Sequence, residues 1–194
     1  SLQSFLGIPV TESTPEHSSL TVIRQRLPLS LHEEVFTKVL AIAREKKLLK
    51  GKTVAVDSTL IEAEAAMKSI VRRENGDDWK EYLKKLATEA GIENPTEEDL
   101  RKFDRNRPNK KVSNEEWVSS TDPDSRIAKM KDGRTHLAYK TEHAVDLESD
   151  LVVAGAVYGA DESDTATLSQ TVTMAQAHLM LAGSEVEVRE AVAD

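Results

Sequence analysis

The chain has 194 residues, of which 39% are hydrophobic and 31% charged, a composition typical of a globular protein with one substantial core. It contains no cysteine, which excludes a disulfide framework, a thiol nucleophile and a cysteine-ligated zinc site. No apolar run approaches the roughly 20 residues of a membrane helix, and the first residues lack the layout of a signal peptide. We therefore expect a cytoplasmic protein without membrane contact. Because the first residue is Ser1 and not Met, we also expect residues upstream of it.

The net charge of −8 is distributed unevenly along the chain. Residues 142–194 carry eleven acids against one base, whereas residues 1–141 carry 25 bases and 23 acids. Six of these bases and a single acid fall within residues 101–111. Such a basic cluster can face a phosphate backbone, and an acidic body can attract divalent cations.

The N-terminal part of the chain predicts helical structure followed by a strand. A short apolar run at residues 2–6 leads into a connection rich in Pro, Ser and Thr. Ser30, with Glu33 three residues later, predicts the start of a helix that runs to about residue 47. After Gly51, a β-branched run at residues 53–56 predicts a strand that ends on Asp57.

Residues 63–134 predict an insertion outside the sheet. Residues 63–73 have a helical pattern, and an apolar stripe beginning at Trp79 predicts a second helix, ended by Gly91. Thr96 is the predicted cap of a third helix, and residues 105–124 are polar, basic and irregular.

The last third of the chain predicts a hairpin, a helix and a strand. Residues 135–146 and 151–157 have strand character, and residues 147–150 form a tight connection between them. Either Asp161 or Ser163 caps the following long helix, which Gly183 ends. Residues 186–192 predict a final strand just before Asp194.

Asp57 is the main candidate for a functional residue. A carboxylate at the end of a buried strand is costly unless its charge is compensated, although a helix or turn cap is the alternative role. Mg²⁺ or Mn²⁺ would compensate it, because these ions prefer carboxylate oxygens.

The order of the predicted elements gives Asp57 a partner. A strand, an antiparallel hairpin, one crossover helix and a last strand are the layout of a ribonuclease-H-like mixed sheet, in which the first and last strands are parallel neighbours. Asp57 and Asp194 would then lie on adjacent strands, about 5 Å apart, and share divalent ions.

Four sets of residues, in this order and spacing, also resemble a known protein family. They are Phe5-Leu6-Gly7-Ile8-Pro9 with Pro15-Glu16-His17-Ser18 and Arg24; Val56-Asp57-Ser58-Thr59-Leu60-Ile61-Glu62-Ala63; Asp122-Pro123-Asp124-Ser125-Arg126 with Gly133-Arg134 and Tyr139-Lys140; and Ala191-Val192-Ala193-Asp194. The family they resemble is the bacterial insertion-sequence transposases with an Asp-Asp-Glu (DDE) catalytic site, and the resemblance covers essentially the whole chain.

The resemblance implies a function, a site and a domain organisation. Asp57 and Asp194 would be the first two catalytic carboxylates and would bind Mg²⁺ or Mn²⁺. The full enzyme would cleave double-stranded DNA at transposon ends and join it to target DNA, as a homodimer when bound to DNA and then associated with the nucleoid. Residues 1–50 would be the end of an N-terminal helical domain. Residues 51–194 would be the catalytic domain, with residues 63–134 inserted after its first strand.

The sequence departs from the family pattern at its C-terminal end. In the family, Gly-Tyr follows the second aspartate and the glutamate lies on a later helix, whereas this sequence ends at Asp194. We therefore expect a chain truncated at both ends that has no catalytic activity alone, because the third carboxylate is absent. Two alternatives are an inert remnant of a mobile element that at most binds DNA, and a cellular nuclease on the same fold.

Several basic residues are candidates for contact with the DNA backbone, although a solvated surface would explain them too. They are Arg101, Lys102, Arg105, Arg107, Lys110, Lys111, Arg126, Lys129, Arg134 and Lys140. Trp117 could stack on a base or belong to the core, whereas Trp79 fits the core better. Glycine-rich phosphate loops are absent from the sequence, so we expect no nucleotide cofactor.

The remaining acids have simpler interpretations. Glu62 fits a solvated side chain better than a metal ligand, and Asp161 and Asp164 fit helix capping. Asp146 belongs to the predicted hairpin turn, and the acids on either side of Pro123 are ordinary turn residues.

Overall fold

The computed structural model describes Gly7, Pro9, Thr11, residues 17–108 and residues 112–193. Over these residues the chain is a mixed α/β protein with five α-helices, a five-stranded mixed sheet and a separate two-stranded sheet. The elements in chain order are α1 (His17–Arg26), α2 (Leu29–Glu45), β1 (Thr53–Glu62), a 3₁₀ helix (Met67–Ser69), β2 (Ile70–Arg72), α3 (Trp79–Glu89), α4 (Glu97–Asn106), β3 (Trp117–Ser119), β4 (Arg126–Lys129), β5 (Thr135–Asp146), β6 (Leu151–Gly159), α5 (Asp164–Leu181) and β7 (Glu190–Val192). None of these helices is both long and apolar enough to cross a membrane.

Strand β5 is the centre of the main sheet. It pairs antiparallel with β1 along one edge, and with β6 and β4 along the other. Strand β7 pairs with the free edge of β1 and runs parallel to it. The sheet is therefore mixed, and the hairpin of β5 and β6 agrees with the prediction.

The core lies between the main sheet and α5. Val54 and Val56 of β1 are buried together with Ala175 and Leu179 of α5, and Leu40 of α2 joins the same cluster. Since successive side chains of a strand point to opposite faces, Asp57 follows Val56 on the face away from this core. This alternation is the local reason why Asp57 is exposed.

The helix predicted from residue 30 is confirmed, but the prediction that Ser30 is its N-cap residue is wrong. The residue preceding α2 is Pro28, and Ser30 lies inside the helix. Proline has its φ angle fixed at a value that suits the residue entering a helix, so the helix starts earlier than the Ser30–Glu33 pattern predicts. The apolar run predicted at residues 2–6 lies outside the described residues.

The prediction that residues 63–134 lie outside the sheet is wrong for β4, which pairs with β5 in the main sheet, and β3 lies within the stretch predicted to be irregular. Helices α3 and α4 follow the prediction, and Thr96 caps α4 in a capping box with Asp99. Residues 63–73 are not an α-helix, because the segment holds the 3₁₀ helix and β2, which pairs antiparallel with β3. The β-branched residues of β2 pair with β3, which lies about 50 residues later in the chain, and this pairing overrides the local helical pattern.

The final strand is shorter than predicted. Strand β7 starts at Glu190, whereas the sequence pattern predicts a strand from residue 186. The side chain of Gln176 on α5 donates to the carbonyl of Val186 at 3.2 Å and accepts from the amide of Val188 at 2.8 Å. These backbone groups therefore bond to a helix side chain instead of a neighbouring strand.

Candidate active site

Strands β1 and β7, the first and last strands of the described chain, lie side by side in the main sheet. Their parallel register pairs Thr53 with Glu190, Val54 with Ala191 and Ala55 with Val192. The prediction that the first and last strands are parallel neighbours is therefore confirmed. Asp194, the second predicted metal ligand, lies outside the described residues.

Asp57 lies in the middle of β1, not at its end as predicted. The strand continues to Glu62 because its pairing with β5 continues to the pair of Glu62 and Ala138. The backbone amide of Ser58 donates to Oδ1 of Asp57 at 2.9 Å. The residue opposite Asp57 on β5 is His143, and both are exposed on the same face of the sheet.

A small cleft of about 80 Å³ opens beside Asp57. Ser58, Glu142, Asp164 and Ala193 are among the residues that line it. Asp164, the first residue of α5, therefore places a carboxylate at the cleft. The sequence predicts only a helix-terminal role for this residue.

Asp164 is held in the cleft by two donors. Its Oδ1 accepts a hydrogen bond from the Ser58 hydroxyl at 2.9 Å and one from Lys140 Nζ at 3.1 Å. The Ser58 hydrogen bond and the nearby Lys140 ammonium lower the pKa of the Asp164 carboxyl below its usual value. Asp164 is consequently a carboxylate at neutral pH, with its charge partly balanced by Lys140.

Behind the cleft lies a buried ion pair that the sequence analysis did not find. Lys140 and Glu142 both belong to β5, their side chains are 4% and 1% exposed, and Nζ lies 2.9 Å from Oε1. Thr167 of α5 accepts from Lys140 at 2.7 Å and donates to Glu142, and Thr171 donates to the other carboxylate oxygen of Glu142. Tyr158 of β6 completes the network through a 2.8 Å hydrogen bond to Thr171.

The network keeps both of its buried charges. Burial raises the pKa of Glu142, but hydrogen bonds from Thr167, Thr171 and Lys140 outweigh it, so the pKa falls below its usual value. Burial likewise lowers the pKa of Lys140, but Glu142 and Asp164 outweigh it and raise the pKa. The alternation of Lys140 and Glu142 along β5, facing two threonines one turn apart on α5, is the sequence signal that could have identified this pair.

The cleft contains three carboxylates, of which those of Glu142 and Asp164 are already paired with Lys140. Its polar side chains, those of Asp57, Ser58, Glu142, Asp164 and Thr165, offer only oxygen atoms, and Mg²⁺ and Mn²⁺ prefer oxygen ligands. Within the described ranges no group of three or more His, Asp or Glu side chains is arranged to hold a metal. This observation does not test the predicted ligand pair of Asp57 and Asp194, because Asp194 lies outside those ranges.

The candidate DNA contacts fall into an exposed and a buried set. Exposed side chains are those of Arg101, Lys102, Arg105, Lys129 and Arg134. Lys140 differs from the prediction, because its ammonium is buried in the network and does not reach the surface. Lys110 and Lys111 lie outside the described residues.

Two arginines of the candidate set also have structural partners. The guanidinium of Arg107 lies 5.1 Å from the centre of the Trp79 ring, its Nε donates to Asp104 at 2.7 Å, and its side chain is only 10% exposed. Arg126 donates to the carbonyl oxygens of Pro123 and Asp124 at 2.9 and 2.8 Å. These contacts give Arg107 and Arg126 a structural role within the chain that does not require contact with a nucleic acid.

The aromatic residues of the insertion form its core. Trp117 is 1% exposed, and its ring centre lies 5.2 Å from those of Trp79 and Tyr82. A side chain buried to this degree does not offer a face to a base, so the core interpretation of Trp117 is the correct one.

Other acids that the sequence analysis considered have structural partners. Glu62 lies 2.7 Å from His136, at the far end of β1 from the cleft. Asp122 accepts a 2.6 Å hydrogen bond from Tyr139, and this bond with burial raises the pKa of the tyrosine to about 12. Asp146 is fully buried and accepts from the backbone amides of Lys50 and Gly51, so it anchors the chain before β1 in addition to the hairpin turn.

No family model, curated protein or solved structure matches this chain.

Proposed function

We propose that this chain carries the first part of the catalytic domain of a DDE transposase, on a ribonuclease-H-like sheet. The support is the order of the strands, in which β6, β5, β1 and β7 follow one another across the sheet. The hairpin of β5 and β6, the crossover through α5 and the parallel pairing of β7 with β1 are all features of that fold.

One observation carries the proposal. The parallel register of β1 and β7 is described as far as the pair of Ala55 and Val192. In the sequence, Asp57 and Asp194 each stand two residues further on. If the register continues, the two carboxylates become lateral neighbours about 5 Å apart, which is close enough to share divalent ions.

Asp57 and Asp194 would hold Mg²⁺ or Mn²⁺ through their carboxylate oxygens. The bound ion would supply activation of a water or 3′-hydroxyl nucleophile for in-line displacement at a phosphodiester. The backbone amide of Ser58 donates to Asp57 and helps to orient it, and the Ser58 hydroxyl donates to Asp164.

The exposed basic residues would position the DNA. Arg101 and Lys102 on α4, Lys129 at the end of β4 and Arg134 before β5 offer charges for phosphate contacts. Such contacts release counterions, so DNA affinity should fall steeply as salt rises.

Binding of Mn²⁺ tests the proposal, because it needs only the two aspartates. We expect the 194-residue chain to bind Mn²⁺ in a titration followed by electron paramagnetic resonance, and Asp57→Asn or Asp194→Asn to weaken binding at least about tenfold. The control is Asp124→Asn, which neutralises an exposed aspartate outside the cleft. If Asp57→Asn binds Mn²⁺ as tightly as the control, the proposed site is wrong.

A further inference from the structure

Helix α2 exposes a continuous apolar stripe. Leu31, Val35, Val39 and Ile42 are 37%, 56%, 53% and 46% exposed. Their intervals of four, four and three residues place them on one face of the helix. A different face of α2, which includes Leu40, is buried against the core.

The stripe belongs to the most apolar surface of the described chain. Nine of the seventeen exposed large apolar side chains fall between residues 20 and 42, on α1, α2 and the turn between them. Single exposed apolar residues are ordinary, but a concentration of this kind marks an interaction surface.

We infer that the stripe is the contact between two copies of this chain, with α2 of one copy packed antiparallel against α2 of the other. The spacing of the stripe is close to symmetric about the middle of the helix. A two-fold axis there brings Leu31 against Ile42 of the second copy, and Val35 against its Val39. The same residues on both copies thus form one self-complementary contact.

The charges beside the stripe select the second copy and the antiparallel direction. Glu34 and Lys38 flank the stripe on one side of α2, four residues apart. Antiparallel pairing sets Glu34 of each copy beside Lys38 of the other, and both side chains are exposed. Parallel pairing would set this flank against the opposite flank of the second helix, so it would not form these pairs.

The dimensions of the stripe set the strength of the contact. From Leu31 to Ile42 the helix rises about 16 Å, so the contact is small for a protein interface. We expect a reversible dimer with a dissociation constant of about 10 μM, which corresponds to about −7 kcal/mol. This inference is independent of the proposed metal site, because α2 does not line the cleft.

Sedimentation velocity of the full chain at about 1 to 100 μM measures the dimer, since this range brackets the expected constant. Val39→Glu should weaken association at least tenfold, because it places a carboxylate in the centre of the stripe. Val39 is half exposed in one copy, so the substitution leaves the fold intact, as circular dichroism should confirm. Ser30→Glu is the control, because it adds the same charge to α2 away from the stripe.

Charge exchange separates a second copy from any other partner. Glu34→Lys and Lys38→Glu should each weaken the dimer, and the double variant should restore it, because opposite charges then meet again across the two-fold axis. A wild-type chain that stays monomeric throughout would overturn the inference and assign the stripe to another segment or protein. A double variant weaker than both single variants would also overturn it.

The direction of pairing has its own test, because the chain contains no cysteine. When Val35→Cys and Val39→Cys are mixed and oxidised, antiparallel packing should give mainly the mixed disulfide, identified by the mass of the cross-linked peptides. Mainly like-with-like disulfides would show parallel packing and contradict the model.

Discussion

Replacing Lys140 by methionine tests the buried network directly. Methionine has a similar length but no charge, so Glu142 would remain in the interior without its cation. The Glu142 side chain is 1% exposed, so water cannot replace the interaction with Lys140 that the variant lacks.

The expected loss of stability follows from the contacts that remain. Removing one partner of a buried ion pair costs about 3–5 kcal/mol. Thr167 and Thr171 still donate hydrogen bonds to Glu142 in the variant, so we expect the lower end, about 3 kcal/mol. For a chain of 194 residues this lowers the melting temperature by about 6–12 °C.

Urea unfolding followed by tryptophan fluorescence and circular dichroism would measure this loss at several pH values. In the wild type the pKa of Glu142 is lowered, so the stability it contributes is present at neutral pH and is lost as the pH falls through that value. In Lys140→Met, burial without a cation raises the pKa of Glu142. The deficit relative to the wild type should therefore be largest at neutral pH and shrink as the pH falls and Glu142 takes up a proton in the folded state.

Two further variants decide whether the ion pair is the cause. Lys140→Met combined with Glu142→Gln removes both charges and should recover at least about half of the loss, because no unpaired charge remains buried. Lys129→Met, at an exposed lysine of β4, should change stability by less than about 0.5 kcal/mol. A loss in Lys140→Met below about 1 kcal/mol, or one that does not depend on pH, would refute the reasoning.

Two other predictions concern single carboxylates. His136 lies between Glu62 and Asp132, which raise its pKa, so the stability that it contributes is present at low pH and is lost as the pH rises through the raised value. Nuclear magnetic resonance titration should show this pKa falling in Glu62→Gln, and an unchanged value would contradict the assignment. Asp146→Asn should destabilise the protein by about 3 kcal/mol in urea unfolding, because a buried carboxylate that accepts backbone amides becomes an amide facing donors. Ser149→Ala, which removes only one of its donors, should cost about 1 kcal/mol, and equal losses in the two variants would show that the backbone contacts are unimportant.

The elements that sequence predicted correctly are those whose signals are local. The capping pattern at Thr96 and the alternation along β5 and β6 depend on residues that are neighbours in the chain. Residues 63–73 show where this reasoning fails. Their helical pattern is real, but β2 gains more from pairing with β3, and a pattern within ten residues does not contain that information.

The candidate site divides in the same way. The parallel arrangement of β1 and β7 follows from the sequence, because topology rules limit how such elements connect. The sequence placed Asp57 at the end of β1, whereas pairing with β5 extends the strand to Glu62. Asp164 could not be assigned to the cleft from the sequence, because its donors Ser58 and Lys140 lie 106 and 24 residues away along the chain.

By itself, the sequence determined the type and order of most elements and the uneven distribution of charge. The tertiary structure decided which charges are buried, as for Lys140, and which apolar residues stay exposed, as for the stripe on α2. The physical reason is that periodicity acts within one or two turns, whereas burial depends on the surfaces that distant segments bring together.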